Sequence, residues 1–397
     1  MTPQADRIAS LDVLRGLGIL GILAVNAPFF AAPFALQLNP LALGPLDDPS
    51  LGVWAVVHTF FERKFVTLFS MLFGVSMILV GGEKRDPDKS PILYRRLGWL
   101  AVFGALHGAF VWYGDILFNY AIAGFIAAQF RSWKPGRLFV VGGLLYLAFA
   151  LFEVAGVWVM AYFPAKAAQG MAFMSPEAAR ATIEAMRGSL ASVQAENLKT
   201  WLMVLQYTVF YVPSTVGLML VGMGLYRTGI FTAKAGVGTY LLFLLIAAGA
   251  FAALGWAVSQ EVATGLADEM ARALRTTINA VFAPVMTLGY ISLFCLILKS
   301  PLRGLTMPLA RTGQMAFTNY LTQSLIMTTI FYGGRGLGLF GTMTLVEQAW
   351  IVGAIWLLQL IWSPLWLSMF RYGPFEWIWR SLSFWRSVPM RRVAGGA

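Results

Sequence analysis

Long apolar stretches recur along the whole chain, and they constrain the fold more than any other feature. Each is long enough to cross the hydrocarbon core of a bilayer, which takes about 20 mostly apolar residues. Only 12% of the residues are charged, whereas soluble domains carry about 25%. The sequence therefore predicts an all-α, polytopic transmembrane bundle over residues 1–397, with the lipid bilayer as its main partner. The ten predicted spans are 15–35, 64–81, 96–113, 115–131, 137–160, 200–226, 238–258, 276–298, 313–332 and 346–369.

Basic residues are divided unevenly between the two sides of this predicted bundle. When ten spans alternate in direction, one side carries twenty of the 29 lysines and arginines and the other carries seven. Connections rich in Lys and Arg stay in the cytoplasm, so we predict that both termini lie there. Topology thus accounts for the net charge of +11, and no nucleic-acid partner is predicted. The two histidines lack the spacing of a metal site, so no metal is predicted either.

Two segments beside the spans are also expected to be helical. The connection 162–199 is predicted to lie outside the cytoplasm and to contain an amphipathic surface helix that begins at Ser175-Pro176-Glu177. Residues 51–62 make the second apolar run too long for a simple crossing. They form either an interfacial helix, in which His58 needs no special role, or the outer half of a tilted helix.

His107 is the polar residue that stands out most within a predicted span. Gly104 and Gly108 flank it, which favours close approach of another helix or a ligand. Ionisable side chains are costly inside a bilayer, and histidine is the usual general base near neutral pH. Asp115 either caps the fourth span, orients His107 if the chain folds back or the two groups meet through water, or does both. We predict that His107 and Asp115 are catalytic. The alternative for His107 is tight packing against a neighbouring helix.

Six further polar residues are predicted to bind a substrate or donor. Arg15 is expected to pair with Asp12, one turn before it, and it shares nearly one helix face with Asn26, eleven positions on. The alternative role for Arg15 is interfacial anchoring. For Lys64 the alternative is snorkelling or pairing with an acid. For Asn319 and Gln323 of the ninth span, the alternative is interhelical hydrogen bonding. The six residues are Asp12, Arg15, Asn26, Lys64, Asn319 and Gln323.

A basic cluster precedes the third span. Its position on the predicted cytoplasmic side is explained by topology alone, but the cluster also suits an anionic lipid or the phosphates of a nucleotide-like donor such as coenzyme A. The cluster consists of Lys84, Arg85, Lys89, Arg95 and Arg96.

Five blocks, in order over nearly the whole chain, carry a resemblance to a known family. They are SLDVLRGLGILGILAVN, KFVTLFSMLFG, LHGAFVWYGDILFNYAIAG, GQMAFTNYLTQSLI and SPLWLSMFRYGPFEWIWRSL. Together they resemble the YeiB-like bacterial membrane proteins, catalogued as domain of unknown function 418. The resemblance implies a multi-pass protein of the bacterial plasma (inner) membrane. Gln314 stands where this resemblance leads us to expect arginine after Gly313.

The opening pattern LD…RG…N over residues 11–26 is similar, more distantly, to heparan glucosaminide N-acetyltransferase-like enzymes. Those enzymes move an acetyl group from cytoplasmic acetyl-CoA to an acceptor across the membrane, using an intramembrane histidine. The resemblance implies that acetyl-CoA or another acyl-CoA is a donor substrate, that a cell-surface sugar is the acceptor, and that no cofactor is bound. No histidine follows Asn26 closely here, so His58 or His107 would substitute.

The first functional hypothesis is therefore a membrane acyltransferase. His107 would deprotonate the acceptor or briefly carry the acyl group, with support from Asp115. Asn26, together with Asn319 or Gln323, would stabilise the carbonyl oxygen, and Arg15 with the basic cluster would hold the donor phosphates.

The second hypothesis is a transporter or flippase for an anionic or lipid-linked solute, in which the same polar residues line a pathway. Many transporters contain internal repeats, and none is detectable in this sequence. A scaffold without chemistry is a third alternative. The sequence leaves the oligomeric state open, and a homo-oligomer is compatible with it.

Overall fold

The computed structural model describes residues 8–163 and 175–392, and all regular elements in these ranges are helices. The predicted all-α class is therefore confirmed. The helices are α1 (Ala9–Ala31), α2 (Ala35–Leu38), α3 (Asp48–Val56), α4 (Lys64–Gly81), α5 (Lys89–Phe110), α6 (Leu117–Ala127), α7 (Pro135–Tyr162), α8 (Pro176–Arg187), α9 (Leu190–Arg227), α10 (Val237–Ala263), α11 (Glu269–Lys299), α12 (Met307–Gln314), α13 (Ala316–Phe331), α14 (Leu345–Met369) and α15 (Pro374–Phe384).

All ten predicted spans fall on these helices, and seven helical stretches are long and apolar enough to cross a membrane. The seven are α1, the α3–α4 stretch Asp48–Gly81, α7, α9, α10, α11 and α14. The three remaining predicted spans coincide with α5, with the shorter apolar stretch Leu117–Phe130, and with α12 and α13. The chain is a multi-pass membrane protein, and the count of ten stays a prediction.

Connections that the ten-span prediction assigns to one side contact one another. At the end where α1 begins, the Ser10 hydroxyl donates to the carbonyl oxygen of Phe231 at 2.6 Å, and the Arg131 guanidinium donates to that of Gly82 at 3.1 Å. We call this the basic end. At the opposite end, the amide of Gly341 donates to the carbonyl oxygen of Ala31 at 2.6 Å. The bundle thus separates the connections into the same two groups as the charge count.

Glycines let the central helices pack backbone against backbone. A Cβ atom added at Gly16 of α1 would lie 2.0 Å from the carbonyl oxygen of Leu309, and one at Gly313 of α12 would lie 1.9 Å from that of Asp12. In the same way, a Cβ at Gly74 of α4 would meet α9 at 2.0 Å. Such small residues bring membrane helices into close contact, and here they set the contact of α1 with α12 and that of α4 with α9.

The α3–α4 stretch is one apolar run interrupted near its middle. After α3 the chain makes a π-helical turn at Val57–Phe61, and α4 starts at Lys64. Arg63 between them has a φ of +68°, a left-handed conformation that side-chain-bearing residues rarely adopt. Residues 51–62 are therefore helical up to Phe61, and a turn at Glu62 and Arg63 separates them from α4.

The predicted connection 162–199 is helical over Pro176–Arg187, where the Ser175 hydroxyl accepts a hydrogen bond from the amide of Ala178 and caps α8. Ala179 and Met186 are the buried residues of this short amphipathic helix. Residues 164–174 of the connection lie outside the described residues.

Candidate functional site

His107 and Asp115 form a buried pair at the point where α5 ends. Nδ1 of His107 lies 2.8 Å from Oδ2 of Asp115, and both side chains are almost fully buried. The other carboxylate oxygen accepts the backbone amide of Phe118 at 2.8 Å, which caps α6. Asp115 therefore performs both of its predicted structural roles, capping a helix and orienting the imidazole.

The turn between α5 and α6 allows this pairing. The amides of Val111 and Trp112 both donate to the carbonyl oxygen of His107, so the helix closes there and the chain folds back. Asn197 of α9 holds the turn: its Oδ1 accepts from the amide of Tyr113 at 2.8 Å, and its Nδ2 donates to the carbonyl oxygen of Gly108 at 2.9 Å.

The glycines that flank His107 make room for its neighbours. A Cβ atom at Gly104 would lie 2.3 Å from the amide of Phe118 and 2.9 Å from Oδ1 of Asp115. A Cβ atom at Gly108 would lie 2.1 Å from the indole nitrogen of Trp201. Both glycines therefore serve packing, and that packing brings the carboxylate within reach of the imidazole.

Three buried polar atoms near the pair have no hydrogen-bond partner among the described residues: Nε2 of His107, Nε1 of Trp112 and the hydroxyl of Tyr320. The ring of His107 lies 5.3 Å from that of Tyr320 and 6.4 Å from that of Trp112, centroid to centroid. Buried polar groups are normally satisfied. Because Nδ1 faces a carboxylate and acts as the donor, Nε2 of the neutral ring carries the lone pair of a base.

Asn26 lies on the stripe of α1 that faces this cluster. It precedes Phe30 by one helical turn, and the Phe30 ring stacks on Trp112 at 3.8 Å. Asn26 is half-buried and makes no hydrogen bond to a described residue, so its amide is available to a ligand.

Asn319 and Gln323, by contrast, are used in contacts between helices. Nδ2 of Asn319 donates to the carbonyl oxygen of Thr312 at 3.0 Å and to the hydroxyl of Ser363 at 3.1 Å. Nε2 of Gln323 donates to Ile19 of α1 and to Oε1 of Gln359. The structure therefore places these two residues in the interhelical role that we considered for them, outside the His107 cluster.

Arg15 and Asp12 lie at the basic end, away from His107. They form the predicted ion pair at 3.1 Å, and a second hydrogen bond of Arg15 reaches the Ser76 hydroxyl of α4 at 3.3 Å. The amide of Gln314 donates to Asp12 at 3.0 Å. Gln314, which stands where the family resemblance led us to expect arginine, thus contacts the Asp12 carboxylate without adding a charge.

Lys64 belongs to a third polar cluster, which the sequence did not predict as a unit. Its ammonium donates to Oδ1 of Asn279 at 2.8 Å and to the carbonyl oxygen of His58 at 3.1 Å. Glu62 accepts from Asn279 at 2.7 Å and from Arg275 at 3.1 Å, and Arg275 also pairs with Glu261. A hint was visible in the sequence: four ionisable residues, His58 and Glu62–Lys64, interrupt an otherwise largely apolar run.

Comparisons with known proteins identify a family. A family model described as protein of unknown function (DUF418) matches residues 225–386. The uncharacterized protein YeiB of Escherichia coli (strain K12) is 31% identical over 97% of this chain and 98% of its own. The uncharacterized protein YxaH of Bacillus subtilis (strain 168) is 29% identical over 96% of both chains. No solved structure matches the chain. Because similarity to YeiB extends over almost the full length of both proteins, the chain belongs to the YeiB-like, DUF418 family of bacterial membrane proteins.

Proposed function

We propose that this protein is an acyltransferase of the bacterial inner membrane, with both termini in the cytoplasm. It moves an acyl group from a cytoplasmic acyl-CoA to an extracytoplasmic hydroxyl or amine, such as that of a cell-surface sugar. The observation that carries the proposal is the buried His107–Asp115 pair, whose outward nitrogen, Nε2, has no partner among the described residues.

The arrangement suits general-base catalysis. Nε2 of His107 removes the proton of the acceptor hydroxyl as its oxygen attacks the thioester carbonyl carbon; the C–O bond forms and the C–S bond breaks. The proton then passes from the imidazolium to the departing thiolate. Asp115 stabilises the imidazolium through Nδ1. The hydroxyl of Tyr320 and the indole N–H of Trp112, whose rings lie beside His107, are the donors for the developing oxyanion, and Asn26 on the facing stripe of α1 is a further candidate.

The direct test is transfer of a labelled acetyl group from acetyl-CoA to a library of sugar and amine acceptors by the purified protein. We expect His107→Ala to abolish transfer. Tyr320→Phe, which keeps the ring and removes the hydroxyl, should slow it about tenfold or more. The chain has two histidines, and the other supplies the control: His58→Ala should retain transfer, because His58 stacks on Trp54 in another cluster. Full transfer by His107→Ala, or none by the wild type, would contradict the proposal.

A transporter or flippase for an anionic or lipid-linked solute is the second candidate, favoured by the interrupted α3–α4 stretch. Broken helices with charges at the break line the binding sites of many transporters, and Glu62 and Lys64 lie at such a break. Lys64 and Glu62, however, bind Asn279 and Arg275, which lie one turn apart on α11. Such contacts suit a structural brace. Substrate-dependent flux in proteoliposomes without acyl-CoA would favour this candidate over acyl transfer.

A further inference from the structure

A small cleft with a mostly apolar lining lies between α4, α5 and α15 at the basic end, and Arg96 lies in its wall together with Ser76 and Trp379. Trp379 of α15 holds Arg96 in two ways. Its indole nitrogen donates to the carbonyl oxygen of Arg96 at 2.9 Å, and its ring lies 4.2 Å from the guanidinium carbon. The guanidinium is therefore stacked at the cleft and keeps its N–H donors.

No described acidic side chain balances this charge. Arg96 makes no salt bridge and no side-chain hydrogen bond within the described ranges, and the charged groups that act on it are Arg15 and Arg380. Arg15 contacts the wall of this cleft, since it donates to the Ser76 hydroxyl at 3.3 Å. The acid of α15, Glu376, is turned away and accepts from the amides of Phe317 and Thr318. Neighbouring like charges repel, and an anion in the cleft would relieve that repulsion.

We propose that this cleft binds a phosphate group, with the Arg96 guanidinium as its main ligand. A guanidinium offers paired N–H donors that match two phosphate oxygens, and stacking on Trp379 fixes their direction. Ser76 of α4 lines the same cleft, and its hydroxyl accepts from Arg15 of α1. The exposed residues Lys84 and Arg85 lie at the same end, where they raise the local concentration of anions.

The position of Arg96 relates this site to His107. The two residues are eleven apart on α5, so their side chains point about 20° apart and lie about 16 Å apart along the axis. A ligand whose phosphate binds Arg96 therefore lies at the end of the α5 face that also carries the histidine, with the buried side chain of Leu100 between the two residues. That this ligand is the acyl donor rests on the proposed function; the phosphate site itself does not. An anionic lipid of the adjacent membrane surface carries the same chemistry, and α15 is a short amphipathic helix suited to that surface.

Titration calorimetry on the full-length protein in uncharged detergent tests the proposal. It measures the binding of phosphate-bearing ligands. One arm uses coenzyme A and its phosphate-free analogue pantetheine; the other uses short-chain phosphatidylglycerol and the corresponding diacylglycerol. We expect binding that requires the phosphate group in one of the two arms. That arm shows whether the phosphate belongs to a coenzyme A-like ligand or to an anionic lipid. Arg96→Gln should weaken it about tenfold or more, and Arg96→Lys should weaken it less, because one charge remains.

Arg95→Gln is the matched control. It removes the same charge one position away, on a face of α5 rotated by about 100°, where the Arg95 side chain bonds the carbonyl oxygen of Pro91 in an exposed position. Its effect should be less than about twofold. The inference would be overturned if Arg96→Gln kept the wild-type affinity or if both glutamine variants lost affinity equally. It would also be overturned if the wild type showed no phosphate-dependent binding. The calorimetry measures binding without acyl transfer, so failure of this site is distinguishable from failure of the transfer mechanism.

Discussion

The His107–Asp115 pair shows how far single residues could be interpreted before the fold was known. Their separation of eight positions would leave them well apart on a continuous helix, about 12 Å along its axis. They meet because α5 ends at Phe110 and the chain turns back. The sequence identified both residues as exceptional within apolar surroundings, and the turn supplied the contact.

Replacing Asp115 by asparagine separates its two roles. Asparagine is as good a helix cap as aspartate, so α6 should remain intact, but the charge that stabilises an imidazolium is lost. We expect acyl transfer by Asp115→Asn to fall by about 100-fold or more, while the thermal unfolding temperature in detergent changes little. The measurement is the transfer assay beside a thermal melt. Transfer at the wild-type rate in a folded variant would show that the carboxylate acts only as a cap.

Asn319 and Tyr320 show what the sequence left open. They are consecutive in α13, so their side chains point about 100° apart. Asn319 faces α12 and α14 and is hydrogen-bonded to both, whereas Tyr320 faces His107. Polarity alone favoured the asparagine as a ligand. The rotation of α13 about its axis decided which of the two neighbours reaches the histidine, and that rotation is set by packing.

At the scale of elements, the interrupted α3–α4 stretch is the feature that the sequence left most open. Its length indicated that the run could not be a simple span, but the position of the break depends on distant partners. Glu62 and Lys64 are bound by Arg275 and Asn279 of α11, and Arg63 pairs with Glu153 of α7. Buried charges need such partners, and pairs separated by 90 residues or more cannot be inferred from one sequence.

Glu376 joins α15 to α13 through a buried cap. Its carboxylate accepts from the amide of Phe317 at 2.7 Å, and from the amide of Thr318 at 3.0 Å and its hydroxyl at 2.5 Å. We expect Glu376→Ala to lower the free energy of unfolding by about 2 kcal/mol, because donors at the start of α13 lose their acceptor and a favourable charge. Thermal melts in detergent measure this loss. Glu184→Ala, at an exposed position of α8, is the control and should change stability by less than about 0.5 kcal/mol; equal effects would contradict the capping role.

For the molecule as a whole, the two groups of connections define two ends, and the charge count predicts which end is cytoplasmic. Cys295 is the single cysteine and is buried, so a Cys295→Ala background permits labelling at chosen positions. In intact cells, a membrane-impermeant maleimide should modify Glu184→Cys and should leave Arg85→Cys unmodified until the membrane is opened. The reverse pattern would invert the orientation and remove the basis for a cytoplasmic donor.

The sequence by itself determined the class of the protein, the approximate location of the apolar helices and the unequal distribution of basic residues among the connections. These properties depend on consecutive residues, because a bilayer requires each crossing segment to be apolar along its own length and to satisfy its own backbone. Only the tertiary structure decided the partners of the polar residues. The contact of α1 with α12 depends on Gly16 and Gly313, and the chemistry near His107 depends on where α5 ends and how α13 is rotated. Such features arise from packing between segments distant in the chain, where a shift of one residue changes which side chains meet.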